Sequence, residues 1–533
     1  MRLLQRIQIP IRRVELLGQI VRESSDIRAD DETCRMMKLS GRWQNHQTRR
    51  TAKFHLRMGD LQMLHFKIQY LVVAAVMSLT LHRTSAQEIA IGEVADAVED
   101  GVTACIPERI CCDSVFSNGC CDLWSRPTLT GDWGGLRTGL QQSGITFTGQ
   151  STQFGFGVAG GINRPMPLVP LFGEGDTFKY TGRGTYNAIV DLEKFGGLPH
   201  GKLLVTAEHV YGQYGNVSFN TGAFAPAVFG AALPPTPNDT GELFLTNFVV
   251  TQPLSEKLVV FAGKKVLPGA ADVDKFASGN GTQQFMNQAF CANPAFLLGM
   301  PYTSFTAGAA MPQEWGLISA FVLDPQDRTR EAFTNLGDLF SKGVILGSEV
   351  RVKTKFFDKQ GDQHVGALWK HVELTNLKFA EPPPGVYPEP TVPGFPTLSD
   401  SYTLYYGFDQ YLVQFADKPD RGWGLFGRAS ISDGNPTPIR YFLSAGIGGD
   451  SPIGKQRGDQ FGIGWYFVGA SNQFGPLPQA IFGPRDGTGV EAYYKVQVNP
   501  WMDISPDVQY IHPGAGAIAD DSFVYGVRVN MKL

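Results

Sequence analysis

The 533-residue chain contains no run of eighteen or so apolar residues, which excludes a membrane-spanning helix by length alone. Charge is scarce too. Only 18% of residues are Asp, Glu, Lys or Arg, and the formal net charge of −4 gives no reason to expect a nucleic-acid partner. The nine histidines are scattered, and His200 and His209 lie near Glu208 at no spacing that a metal site requires. No Gly-x-Ser-x-Gly elbow follows an apolar strand, and no phosphate-cradling loop appears. Carboxylate pairs of the glycosidase kind exist, but Asp and Glu pairs are unavoidable in any polar channel wall. Catalysis and cofactor binding therefore have no constellation to rest on. What the chain does have is 62 Gly, 34 Pro and 11% aromatic residues, the composition of many short strands joined by turns.

The closing segment, Ser522 to Leu533, alternates. Phe523, Tyr525, Val527, Val529, Met531 and Leu533 fall on one side, with Gly526, Arg528, Asn530 and Lys532 on the other. The same period of two runs through Val490 to Asn499, Glu349 to Phe356 and Lys202 to Tyr211. Phe461 to Phe467 places glycine on its second face, as where a strand must leave room or bend. An edge strand of a soluble, carbohydrate-binding β-sandwich would alternate in the same way. The Pro/Gly/Asn-rich stretches 224–241, 275–302, 381–398 and 474–487 decide against it, because they exceed the connections of a compact soluble domain. A closed barrel with long loops at one rim accommodates them, and it is the one strand architecture that satisfies every backbone hydrogen bond in a bilayer.

Upstream, the apolar stretch Tyr70 to Leu81 follows Lys67 and precedes Thr84-Ser85-Ala86, a signal-peptide pattern with cleavage before Gln87. The expected organisation is a spurious or untranslated extension over 1–62, a signal peptide over 63–86, a Cys-rich periplasmic segment over 87–122, a short helical motif over 123–147 and a barrel over 148–533. In that motif Leu136 and Leu140 share one side of a helix that Gly144 stops. Export to an oxidising compartment makes Cys105, Cys111, Cys112, Cys120, Cys121 and Cys291 disulfide candidates, with connectivity open. Adjacent Cys-Cys pairs without nearby His disfavour zinc.

Leu129-Thr130-Gly131-Asp132-Trp133-Gly134-Gly135-Leu136-Arg137, followed by Gly144-Ile145, resembles the N-terminal hallmark of the OprB-type carbohydrate-selective porins. Further matches follow in order: Ala207 to Gly212, Leu258 to Lys264, Phe285-Met286-Asn287, Gly343 to Val352, Tyr405 to Gln410, Gly424 to Arg428, Glu491 to Tyr494 and Ser505 to Gly514. The resemblance spans about 123–533 and leaves the Cys105–Cys121 cluster outside it. It implies an all-β, transmembrane antiparallel barrel of 16 strands in the outer membrane, narrowed by inward loops, that passes monosaccharides such as glucose by diffusion. Implied partners are the sugars, outer-membrane lipid and the outer-membrane assembly machinery, with the barrel a monomer or homotrimer and no cofactor. A general diffusion porin is the alternative reading, and an outer-membrane barrel enzyme a more distant one.

A sugar pore needs aromatic faces for CH surfaces and charged groups for hydroxyls, while binding weakly enough to permit flux. In such a barrel the alternation turns Glu208, Glu349, Arg351, Glu491, Lys495, Gln497 and Arg528 toward the lumen. Lys264, Asp272, Asp274 and Arg440, with the loop aromatics Phe276 and Phe285, are further candidates for a constriction. Each charge has a plainer reading, in which it solvates the wall or pairs with a neighbour. Tyr494, Trp465, Tyr525 and Phe523 are assigned to an outward aromatic girdle.

Overall fold

A computed structural model describes residues 122–164, 176–213, 216–235, 242–378, 396–455 and 457–533. The proposed signal peptide and the cysteines from Cys105 to Cys121 lie outside the described residues. The strands are β1 (Ile145–Ile162), β2 (Thr177–Asp191), β3 (Lys202–Gly212), β4 (Phe244–Ser255), β5 (Leu258–Val266) and β6 (Thr303–Gln313). Next come β7 (Gly316–Leu323), β8 (Gly343–Phe356), β9 (Lys359–Thr375), β10 (Thr397–Phe415) and β11 (Lys418–Ser432). The last are β12 (Ile439–Asp450), β13 (Gln460–Ala470), β14 (Gly487–Asn499), β15 (Met502–His512) and β16 (Ala519–Lys532). Each pairs antiparallel with its neighbours, and β1 pairs with β16, so the 16 strands form a closed barrel. Among the described residues no sheet edge is left unpaired.

Register follows the alternation. Phe154 pairs with Arg528, both buried inside, while Val527 and Tyr525 on the other face of β16 are exposed. The outer surface carries Trp369, Tyr406, Tyr441, Trp465, Tyr510, Phe523 and Tyr525, the aromatic belt of a barrel in lipid. Tyr494 also faces outward, and its hydroxyl donates to Asp459 Oδ2 at 3.1 Å, tying β14 to the β12–β13 turn. Gln497 bonds the β14–β15 turn through Asn499 O at 2.7 Å.

The connections β2–β3, β4–β5, β6–β7, β8–β9, β10–β11, β12–β13 and β14–β15 share one rim, and several are two-residue turns. The other rim carries the long loops, and residues 216–235 and 267–302 from two of them fold into the lumen. They build the apolar core there: Phe229, Phe276, Phe285, Phe290 and Phe296 pack against Phe154, Tyr405, Phe426, Tyr466 and Tyr493 of the wall. The glycines of β13 make this packing possible. A Cβ at Gly462 would stand 2.6 Å from the Phe285 ring, and Phe290 covers Gly464 in the same way.

Candidate functional site

Loop 267–302 lies along the inner wall from β8 to β16 and is fastened there by charges. Asp272 and Asp274 both meet Arg428 of β11, with Nε–Oδ2 at 3.2 Å and Nη2–Oδ2 at 2.9 Å. Asp272 Oδ1 lies 3.0 Å from His364 Nε2 of β9, and its backbone N–H donates to Glu349 Oε2 at 2.9 Å. Arg428 itself donates to the carbonyls of Phe290 and Ala277, each at 2.6 Å. Glu349 also accepts from the Tyr405 hydroxyl at 3.0 Å. All of these groups are buried. Burial works against the Asp272 charge, yet Arg428 and the His364 hydrogen bond outweigh it and hold its carboxyl below the ordinary range. For Asp274 burial prevails over Arg428 and raises the carboxyl to about 7.

The same loop is held at two further points. Glu491 of β14 accepts from the N–H groups of Met286 at 2.5 Å and Asn287 at 2.9 Å. Arg528 of β16 donates to the carbonyls of Gly281 at 3.0 Å, Gln284 at 2.9 Å and Gln283 at 2.8 Å. The segment 216–235 is held by Arg183 of β2, which donates to Gly230 O and Pro234 O at 3.0 and 2.9 Å and pairs with Glu208 at 3.0 Å. Tyr302 donates to the other Glu208 oxygen at 2.7 Å, and Phe229 N–H to Met286 O at 2.8 Å joins the two loops.

Six of the expected lumen charges, Glu208, Glu349, Arg351, Glu491, Lys495 and Arg528, therefore do face inward. Most are consumed as loop fasteners, and Lys495 is nearly buried beside Asp503. Arg351 also holds the loop but stays partly exposed. It donates to Val273 O at 2.7 Å and pairs with Glu349 at 3.2 Å, and its side chain keeps 21% of its surface exposed. Around it the register sets Lys353 opposite Asp362 and Asp362 opposite Asp409. Lys275, exposed on the loop, donates its N–H to Asp409 Oδ2 at 3.3 Å, with its ammonium 4.6 Å from the Tyr411 ring centroid. Arg351, Lys275, Asp362 and Asp409 form a group of both signs where the loop meets β8 to β10.

Three expectations need correction, those for Lys264, for Phe276 and Phe285, and for Cys291. Lys264 pairs in register with the exposed, outward Phe248, so it points away from the lumen. Its ammonium is bound outside the barrel by the carbonyls of Leu245 and Glu331, the latter from the β7–β8 loop. Phe276 and Phe285 do not line an opening: both are buried, Phe276 edge-on to Tyr411 at 5.0 Å and Phe285 edge-on to Tyr493 at 4.9 Å. Arg440 lies at the long-loop end of β12 with its guanidinium 5.1 Å from the Tyr441 ring centroid. Cys291 is a free, buried thiol that donates to Phe285 O at 3.1 Å, with burial pushing its pKa up.

The family described as carbohydrate-selective porin, OprB family, matches residues 176–533. The chain belongs to that family. Among solved structures, the high-pH structure of Pseudomonas putida OprB superposes with a TM-score of 0.63 at 18% identity, covering 79% of this chain and all of that one. The low-pH structure of the same protein gives 0.46 at 15% identity, covering 77% and 99%. A Rh. blastica porin mutant gives 0.40 at 8% identity, covering 73% and 100%. No curated protein matches the chain. As an OprB-family porin the protein resides in the outer membrane and passes carbohydrate, so its short-turn rim faces the periplasm and its long-loop rim the exterior.

The sequence reading missed Arg183, Lys275, His364, Asp362, Asp409 and Arg428. Asp409 and Arg428 sit inside the Tyr405–Gln410 and Gly424–Arg428 motifs. Applying the alternation there, Phe426, Arg428 and Ser430 against Leu425 and Gly427, would have turned Arg428 inward.

Proposed function

We propose that this porin conducts monosaccharide-sized neutral sugars by passive diffusion, without catalysis, past the group formed by Arg351, Lys275, Asp362 and Asp409. The supporting observation is that Arg351, although it donates to Val273 O, keeps 21% of its side chain exposed, and that Lys275 is exposed on the loop beside the half-buried Asp362 and the buried Asp409. A sugar hydroxyl both donates and accepts, so facing charges of both signs bind it weakly from two sides. Weak binding preserves flux.

Liposome swelling with a graded set of sugars tests this reading. Monosaccharides should enter faster than disaccharides, and sugar should block ion current in a planar bilayer. Asp362→Asn should change cation selectivity and sugar block together. If uptake tracked solute size alone and no sugar blocked current, the pore would be a general diffusion channel.

A further inference from the structure

The Gly131-Asp132-Trp133-Gly134-Gly135-Leu136-Arg137 motif is not used by the pore. It lies at the seam of the barrel, on the short-turn rim. Arg137 donates to Phe147 O of β1 at 2.8 Å and to Leu533 O just beyond β16 at 3.0 Å, so one guanidinium grips both seam strands. Leu129 N–H extends the grip to Lys532 O at 2.8 Å. Asp132 Oδ1 accepts from Thr138 N–H at 2.9 Å and steadies helix α1 (Leu136–Gln142). Trp133 sits at φ +53°, a left-handed conformation that a bulky residue adopts only when its surroundings impose it.

This clamped segment nevertheless buries little of its own apolar surface. No residue of α1 is buried. Trp124 remains 59% exposed, Trp133 44% and Leu136 58%, with Phe195 of the β2–β3 turn at 57%. A seven-residue helix has little stability of its own in water. Something apolar should cover this face.

We propose that residues 123–140 form an in-plane anchor in the headgroup region of the inner leaflet, with phospholipid as the occupant. The argument is continuity with the lipid-facing surface. The Trp133 ring packs at 6.1 Å on Phe147, which lies on the same face of β1 as Gly149, whose register partner is the outward Tyr186. The apolar face of the motif thus prolongs the lipid band of the barrel at its periplasmic end, where indoles partition by their mixed polar and apolar character. Arg137, with its Cζ 5.2 Å from the Trp133 ring centroid, holds that indole at the rim. In-plane segments of this kind sit at the headgroup–acyl boundary.

Brominated lipids test the inference. The full-length protein is reconstituted into phosphatidylcholine vesicles brominated either near the headgroup or near the chain ends. Leu136→Trp adds an indole at an exposed position, and Trp124→Phe removes one; retention of an SDS-resistant, heat-modifiable band shows that each variant is folded. Near-headgroup bromine should quench the difference signal about two-fold more than chain-end bromine, and aqueous iodide should quench it little. Quenching by iodide but not by bromine would place the face in water. Protection from both would mean that protein covers it, whether residues 87–121, a second copy or a periplasmic partner. Either result overturns the proposal, and Trp124→Phe gives an independent reading should Leu136→Trp fail to fold.

Discussion

Arg428→Ala should release the constriction loop and leave the barrel standing. Arg428 is fully buried, it pairs with both Asp272 and Asp274, and it donates to carbonyls at positions 277 and 290 of loop 267–302. Removing one partner of a buried ion pair strands the other charge, at a cost of about 3–5 kcal/mol. Here two carboxylates lose their guanidinium, while His364 still meets Asp272 at 3.0 Å, so the lower half of that range is expected. Near 3 kcal/mol, the docked-to-undocked ratio of the loop falls on the order of a hundredfold. The ladders on either side of Arg428, to Gly407 and Ser444, are made by backbone and should survive.

Single-channel recording and swelling should report this together. Conductance should rise and become noisy, disaccharides should enter almost as fast as monosaccharides, and the heat-modifiable band should persist. Adding Asp272→Asn and Asp274→Asn to Arg428→Ala should recover part of the exclusion, because the stranded charge is then absent. Unchanged conductance and unchanged disaccharide exclusion in Arg428→Ala would refute the fastener role. Loss of the folded band would show instead that the arginine supports the barrel.

Three further outcomes follow from the same geometry. Val527→Arg or Val529→Arg puts a charge toward lipid at a cost of about 2–4 kcal/mol near the midplane and should abolish the SDS-resistant species. Arg528→Ala should keep that species and alter only conductance, and equal loss in both cases would overturn the register of β16. Asp274, raised to about 7 in the folded protein, holds a proton there that the unfolded chain releases near its ordinary carboxylate value. Stability should therefore fall as pH rises from about 4 to 7, by up to ~1.4 kcal/mol per pH unit, and Asp274→Asn should flatten that slope in thermal melts at pH 5 and 7. Export is proposed to leave Gln87 as the first residue, so an envelope-derived peptide from 1–57 in N-terminal sequencing would disprove the signal-peptide assignment.

Alternation made the barrel legible, because a strand with lipid on one side and a polar interior on the other must repeat every two residues. β16, β14 and the second half of β8 keep the register expected of them, and Glu491 and Arg528 lie on the inner face where the count puts them. The strand number came from resemblance and agrees with the closed sheet. The helix ending before Gly144 was legible for a local reason: Gly144 adopts φ +100° at the exit, a conformation that glycine reaches cheaply.

The candidate site was harder to read, because it depends on which faces the loops cover. Lys264 shows the difficulty. In β5 a lysine follows Gly263 and precedes Lys265, so polarity alone does not say which of the two lysines faces in. The answer is carried by register: Val249 and Gly263 pair on the buried face, Phe248 and Lys264 on the outer one. An outward lysine near the external rim is tolerable only if something caps it, and the β7–β8 loop brings the Glu331 carbonyl over its ammonium. Inside the barrel the same logic runs in reverse. A loop laid across a polar wall brings backbone N–H and C=O groups that need partners, and Arg183, Arg428, Glu491 and Arg528 supply them. Charges that a sequence reading takes for sugar ligands are thus largely spent on holding loops in place. In the function proposed above, the sugar is left to the group at β8 to β10, where Arg351 keeps an exposed edge and Lys275 is exposed on the loop.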